Sequence, residues 1–231
     1  MSLKGAIFDL DGTLIDTEPI YFDAAQIMIN EYGNGKKFEW DTKIKTLGSA
    51  EIVTAKIVVD TFEIKLTPEE FLKKRNAITP EYFKECPFFP GAKELTDKFK
   101  KELKFKTAIA TSSAKVNFDY KTFNKKEWLK EDFDAIILGD DPRIKNGKPA
   151  PDIFLLAAKD IGLQPKDCIM FEDSIQGIKA CINSGAKIVV GIPDPHLKNK
   201  AEEIKYDKNI TKLILLDKIK DFDFSIINEN I

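Results

Sequence analysis

Apolar positions follow two rhythms along the chain, and the switch between them divides it. Residues 3–8 form a short apolar run interrupted only by Lys4, the pattern of a strand buried on both faces. From Asp16 to about Phe89 the apolar residues recur at helical spacing instead, as in Ile20, Ala24, Ile27, Met28 and in Ile52, Ala55, Val59, and predict about four helices. Thr67-Pro68-Glu69-Glu70 reads as a helix start, with a capping threonine, a proline in the first turn and early acids. Cys86-Pro87-Phe88-Phe89-Pro90-Gly91 interrupts any helix and marks the end of this stretch. Beyond it helices alternate with short apolar strands. The pattern predicts helices over 92–103, 116–128, 152–161 and 175–184, and strands over 106–110, 135–138, 168–171, 187–190 and 213–216. Such alternation implies an α/β fold, a parallel sheet covered on both faces. Residues 1–15 and 90–231 then form the core, and residues 16–89 form an inserted helical domain.

In an open parallel sheet, ligands bind beyond the carboxyl ends of the strands. The polar residues of interest fall there. Asp9 and Asp11 follow the first strand, Thr111-Ser112-Ser113 follow 106–110, and Glu172-Asp173 follow 168–171. In extended backbone, side chains at i and i+2 point the same way, so Asp9 and Asp11 can face one substrate atom, as nucleophile and as acid/base partner. Gly12 then permits a sharp turn that frees the amides of Leu10 and Asp11 to approach an anion. Asp-Gly alone equally suits a hairpin turn with solvated acids. Thr111, Ser112 and Ser113 can offer donors to phosphate oxygens, and they suit a helix N-cap as well. Lys148, between Gly147 and Pro149 before a helix, is held by a rigid turn, unlike Lys145 in its looser sequence. Glu172 and Asp173, added to Asp9 and Asp11, crowd four carboxylates together, which favours a hard cation among them, magnesium fitting best. An acidic helix start with Asp173 or Ser174 as N-cap is the alternative.

Asp9-Leu10-Asp11-Gly12-Thr13, Thr111, Lys148 and Glu172-Asp173 resemble, in order, the motifs of the haloacid dehalogenase-like hydrolase superfamily. The resemblance implies a Rossmann-like, doubly wound core and a magnesium-dependent phosphatase working through an aspartyl-phosphate on Asp9. It assigns phosphate binding to Thr111, with Ser112 beside it, and makes Lys148 the cation that neutralises phosphate and holds Asp9 ionised. The expected magnesium ligands are Asp9, the main-chain carbonyl of Asp11 and Asp173, with Glu172 direct or through water. An acid at Asp11 disfavours dehalogenation. The insertion looks like the helical cap of the beta-phosphoglucomutase-like branch, closing over a small phosphorylated metabolite. Within that branch, Phe118-Asp119-Tyr120-Lys121-Thr122 and Leu138-Gly139-Asp140-Asp141-Pro142 resemble the pseudouridine-5'-monophosphatase-like phosphatases. Glu18 and the loop around Ser49 are the expected substrate-selecting positions; Ser49 stands where that group tends to carry lysine. A sugar- or polyol-phosphate phosphatase, a sugar-phosphate mutase and a non-catalytic phosphate-binding regulator are the alternatives. The mutase uses a cap histidine, whereas this chain has Tyr21 nearby and its only histidine at His196.

Composition narrows the partners. The chain has 231 residues, 43% of them apolar, and 36 basic against 38 acidic residues mixed along its length, so no basic stripe proposes nucleic acid. No apolar run approaches the roughly 20 residues of a membrane span, and the start shows no signal-peptide pattern. A cytosolic monomer is expected. Cys86, Cys168 and Cys181 lack paired spacing and indicate neither disulfides nor zinc.

Overall fold

The computed structural model of the chain describes residues 3–46, 51–84 and 86–228. Six strands, β1 (Gly5–Phe8), β2 (Lys106–Ala110), β3 (Ala135–Ile137), β4 (Cys168–Glu172), β5 (Ile188–Gly191) and β6 (Lys212–Leu215), form one sheet in the order β3-β2-β1-β4-β5-β6. Every pairing is parallel. β1 lies in the middle, with Phe8 in register with Ile109 on one side and Phe171 on the other. All of β1, β4 and β5 is buried, which is why these strands read as unbroken apolar runs rather than alternating ones. Strand order reverses between β1 and β4, and this is where a doubly wound sheet opens a crevice for ligands.

The chain forms two compact units, Met1–Asp16 with Pro87–Ile231, and Thr17–Cys86. In the second lie α1 (Glu18–Tyr32), α2 (Trp40–Thr46), α3 (Glu51–Thr61) and α4 (Pro68–Phe83). Their apolar faces meet around Met28, Phe38, Val58, Phe62 and Phe71, with Phe38 edge-on to Phe62 at 5.8 Å. α4 begins with a reciprocal cap: Thr67 Oγ1 accepts from the Glu70 amide at 3.2 Å, and Glu70 accepts from the Thr67 amide at 2.8 Å. Arg75, further along α4, is buried, paired with Glu51 at 3.1 Å and stacked on Tyr21. In the first unit, the segments that leave and re-enter the sheet domain are laced together, Asp16 N donating to Pro87 O and Phe89 N to Leu14 O.

Around the sheet lie α5 (Ala92–Asp97), α6 (Lys115–Lys121), α7 (Lys126–Asp132), α8 (Asp152–Asp160), α9 (Ile175–Asn183), α10 (Lys198–Glu202) and α11 (Ser225–Asn228). Two of the expected helices are reshaped. The segment 92–103 passes from α5 into a π-turn over Lys98–Glu102. The wider turn lets Phe99 enter the core edge-on to Phe8 at 5.8 Å. The segment 116–128 is two helices: α6 ends at Thr122, whose backbone leaves the helical region at φ −110° and ψ 12° while its hydroxyl donates to Phe118 O at 2.7 Å. Among the described residues no helix is long and apolar enough to cross a membrane.

Candidate active site

The site is assembled at the carboxyl ends of β1, β2 and β4. At the end of β1, Asp9 N donates to Phe171 O at 2.9 Å, so the last residue of pairing with β4 delivers a buried carboxyl beside that strand's end. The chain then turns back on itself: Gly12 N donates to Ile15 O, and Leu14 N and Ile15 N donate to Leu10 O. Gly12 takes φ 82°, and a Cβ there would lie 2.3 Å from Asp173 Oδ2. Asp173 leans across this glycine and accepts from Thr13 Oγ1 at 3.0 Å.

Glu172, at the end of β4, is held from both sides. Its Oε2 accepts from the amide and hydroxyl of Ser174, at 2.6 and 3.0 Å, and its Oε1 faces Lys148 Nζ at 2.6 Å. Ser174 also caps α9, its Oγ accepting from Gly177 N at 3.0 Å, so cap and acidic cluster share one turn. Gly177 has no side chain because Glu172 fills the space; a Cβ would sit 1.7 Å from its Oε1.

Lys148 bridges the two strands, 2.6 Å from Asp9 Oδ1 and 2.6 Å from Glu172 Oε1, with Ala110 O at 3.4 Å. Its side chain is buried, whereas Lys145 is exposed. The loop that carries it is tied at several points. Asp152 Oδ2 accepts from the amides of Lys145 and Asn146, Asn183 Nδ2 donates to Pro149 O, and Arg143 grips both Asp141 and Asp160.

Charge at this point is unbalanced. Ligand oxygens of Asp9, Glu172 and Asp173 lie within 4.8 Å of one another, and among the described residues the ammonium paired with this cluster is that of Lys148. Burial pushes the Asp9 carboxyl up to about 7, only partly countered by Lys148, with Glu172 and Asp11 adding to the rise. Burial likewise drives Asp173 well above the carboxylate range, reinforced by Glu172 and Asp9. Burial opposes the charge of Lys148 too, but Asp9 and Glu172 raise it above its ordinary value. Three clustered carboxylates with hard oxygen donors, Asp9 and Glu172 buried and Asp173 partly so, form with Lys148 a set that fits a divalent cation.

A second group stands at the end of β2. Asp11 Oδ2 accepts from Ser113 Oγ at 2.8 Å and from Thr111 Oγ1 at 3.3 Å. Asp11 Oδ1 faces Lys121 Nζ at 2.6 Å. Ser113 also donates its amide to Thr111 Oγ1 at 3.1 Å.

The fold thus brings together Asp9, Leu10, Asp11, Thr111, Lys148, Glu172 and Asp173 at three neighbouring strand ends. Ser112 is exposed, and its backbone lies where a Gly139 side chain would go; the serine hydroxyl that joins Thr111 on Asp11 is that of Ser113. Glu18 belongs to the second unit, where it is paired with Lys43. Ser49 lies outside the described residues. The sequence assigns no site role to Thr13 or Lys121, and it names Ser113 only as a phosphate donor beside Thr111, whereas here its hydroxyl serves Asp11. The signal for Lys121 was its spacing three residues after the buried Phe118 on α6, which turns both to one face.

A family model described as haloacid dehalogenase-like hydrolase matches residues 6–190. A probable pseudouridine-5'-phosphatase of Saccharomyces cerevisiae is 36% identical over 203 residues, covering 84% of each chain. The (DL)-glycerol-3-phosphatase 2 of Arabidopsis thaliana is 35% identical over 221 residues, 92% of this chain and 88% of its own length. Among solved structures, a putative beta-phosphoglucomutase from Thermotoga maritima superposes with a TM-score of 0.71 at 28% identity, covering 98% of both chains.

Proposed function

Because this chain belongs to the haloacid dehalogenase-like hydrolases, we propose that it is a magnesium-dependent phosphatase that cleaves a small phosphomonoester through an aspartyl-phosphate on Asp9. It is a phosphoric monoester hydrolase of that family. The observation that carries the mechanistic reading is the bridge of Lys148 between Asp9 and Glu172, with Asp173 beside them at the strand ends where the sheet order reverses.

Asp9 attacks phosphorus in line and its carboxylate becomes the acyl phosphate. Lys148 lies on Asp9 Oδ1 at 2.6 Å, close enough to offset the charge of an incoming phosphate. Thr111 and the amides of the turn at Leu10 and Asp11 supply donors for the other phosphoryl oxygens, with Ser112 at the rim. Asp11 gives its proton to the leaving alcohol oxygen as the P–O bond breaks. It then takes a proton from the water that attacks the acyl phosphate, which frees phosphate and restores both carboxyl groups. Magnesium would be held by Asp9, Asp173 and the carbonyl of Asp11, with Glu172 beside them, and when bound it supplies positive charge to the transferring phosphoryl group.

Two relatives of nearly equal identity carry the names of a pseudouridine-5'-phosphatase and a glycerol-3-phosphatase. Both names describe the phosphate ester of a primary alcohol on a polyhydroxylated skeleton, and this class is the substrate we propose. Pseudouridine 5'-phosphate is the first reading and a polyol phosphate the second. Substrate choice is assigned to the inserted unit, with Glu18 and Ser49 as the positions to vary.

Phosphate release with magnesium from pseudouridine 5'-phosphate, uridine 5'-phosphate, glycerol phosphate, hexose phosphates and 4-nitrophenyl phosphate tests both parts. Asp9→Asn should lower turnover on every substrate by at least about 10³-fold. Substantial activity in that variant overturns the mechanism. Transfer between hexose positions without phosphate release would identify a mutase instead.

A further inference from the structure

Lys121 ends α6 with its whole side chain inside the protein, 1% exposed, and the chemistry described so far makes no use of it. A buried ammonium is unfavourable unless acceptors meet it. Here Asp11 Oδ1 lies 2.6 Å from Nζ and Ser113 Oγ lies 2.7 Å away. Ser113 Oγ has one hydrogen, which it donates to Asp11 Oδ2 at 2.8 Å, so the three groups close a triangle whose donors all run toward Asp11. Thr111 Oγ1 adds a further donor to Oδ2 at 3.3 Å. α6 is itself anchored, with Phe118 buried on the face that carries Lys121 and Thr122 closing the helix onto Phe118 O.

The two oxygens of Asp11 are therefore not equivalent. Oδ1 faces an ammonium, which has no lone pair to receive a hydrogen bond, while Oδ2 faces hydroxyls, which can accept as well as donate. A proton on Oδ1 would point at a cation; a proton on Oδ2 finds an acceptor.

We propose that Lys121 is a positioning residue for Asp11, fixing the carboxyl through Oδ1 so that Oδ2 is the oxygen that carries and transfers the proton. The inference rests on the acid/base assignment of Asp11 made above. In the first half-reaction the proton leaves Oδ2 for the alcohol oxygen as the P–O bond breaks. In the second it returns from water as that water's oxygen bonds to phosphorus and the acyl P–O bond breaks.

Leaving-group dependence tests this, because a nitrophenolate leaves without protonation and an alkoxide does not. The probes are 4-nitrophenyl phosphate and one alkyl phosphate that the wild-type protein hydrolyses, each followed through the first turnover and into steady state with magnesium. In Lys121→Met, the first turnover on the alkyl phosphate should fall about 100-fold, while the nitrophenolate burst stays within about threefold and the steady rate after it falls at least about tenfold. Asp11→Asn, measured alongside, should show the same split more strongly. If Asp11→Asn splits the substrates and Lys121→Met lowers both bursts equally or neither, the role of Lys121 is overturned and that of Asp11 stands. If Asp11→Asn gives no split, the assignment of Asp11 fails, and the inference with it. Should Lys121→Met not fold, Ser113→Ala removes the hydroxyl shared by both partners; it should give a split of the same sign, about three- to tenfold. A uniform effect in that variant overturns the proposal.

Discussion

At Gly12 the backbone sits at φ 82°, in the left-handed region, and the carboxylate of Asp173 occupies the space a Cβ would need, 2.3 Å away. Both features follow from the turn that reverses the chain within a few residues of Asp9. An alanine there is strained by conformation, at about 1–2 kcal/mol, and must also displace Asp173. Gly12→Ala should therefore lower stability by at least about that amount in urea unfolding, and calorimetric titration should show weakened magnesium binding. Unchanged binding would mean that Asp173 moves without consequence for the cation. The Asp-Gly pair was legible as a turn, and Asp9 and Asp11 as its chemistry. What one-dimensional spacing could not show is that Asp173, 160 positions along the chain from its partner Thr13, closes the turn from the other side.

The element that aims Lys148 is the loop between β3 and α8. Arg143 ties its start to α8 through Asp141 and Asp160, at 2.7 and 3.0 Å. Hydrogen bonds from the Arg143 side chain and amide hold the Asp141 carboxyl down at about 2, below its ordinary 3.8. A folded value below the unfolded one means that the contribution to stability is complete above 3.8 and is lost as pH falls through about 2. The pair is exposed, so the effect is small. The difference in melting temperature between wild type and Arg143→Gln should narrow as pH is lowered from about 5 to about 2.5, by calorimetry. A difference constant over that range would show that Arg143 acts by packing alone. The loop itself was legible from Gly147-Lys148-Pro149, because glycine and proline restrict backbone locally. The π-turn at Lys98–Glu102 and the break between α6 and α7 were not. The first seats Phe99 on partners distant in sequence and the second turns on the backbone of the single residue Thr122, and apolar spacing carries neither.

On the scale of the molecule, the sheet concentrates negative charge where β1 and β4 end. Asp9, Glu172 and Asp173 face Lys148, so without a cation the folded state carries repulsion that the unfolded chain lacks. Magnesium should raise the melting temperature, and a concentration about 100 times its Kd should add about 2.7 kcal/mol. Asp173→Asn should abolish most of that gain and, measured with chelator, should be at least as stable as wild type because one repelling charge is gone. A chelated variant markedly less stable than wild type would show that the Thr13 to Asp173 hydrogen bond outweighs the repulsion.

The sequence by itself determined the class of fold and the chemistry at its strand ends. Continuous apolar strands alternating with helices require a parallel sheet covered on both faces, and a parallel sheet presents the residues after its strands on one side. Asp9, Asp11, Thr111 and the acids at 172–173 were therefore legible as one group before any contact was known. Tertiary structure alone decided which neighbours those residues keep. The order β3-β2-β1-β4-β5-β6 sets Asp9 beside Glu172 with Lys148 between them, and the burial of α6 turns Lys121 onto Asp11. The physical reason is that local periodicity encodes which face of an element is buried, whereas the pairing of charges depends on which buried faces meet.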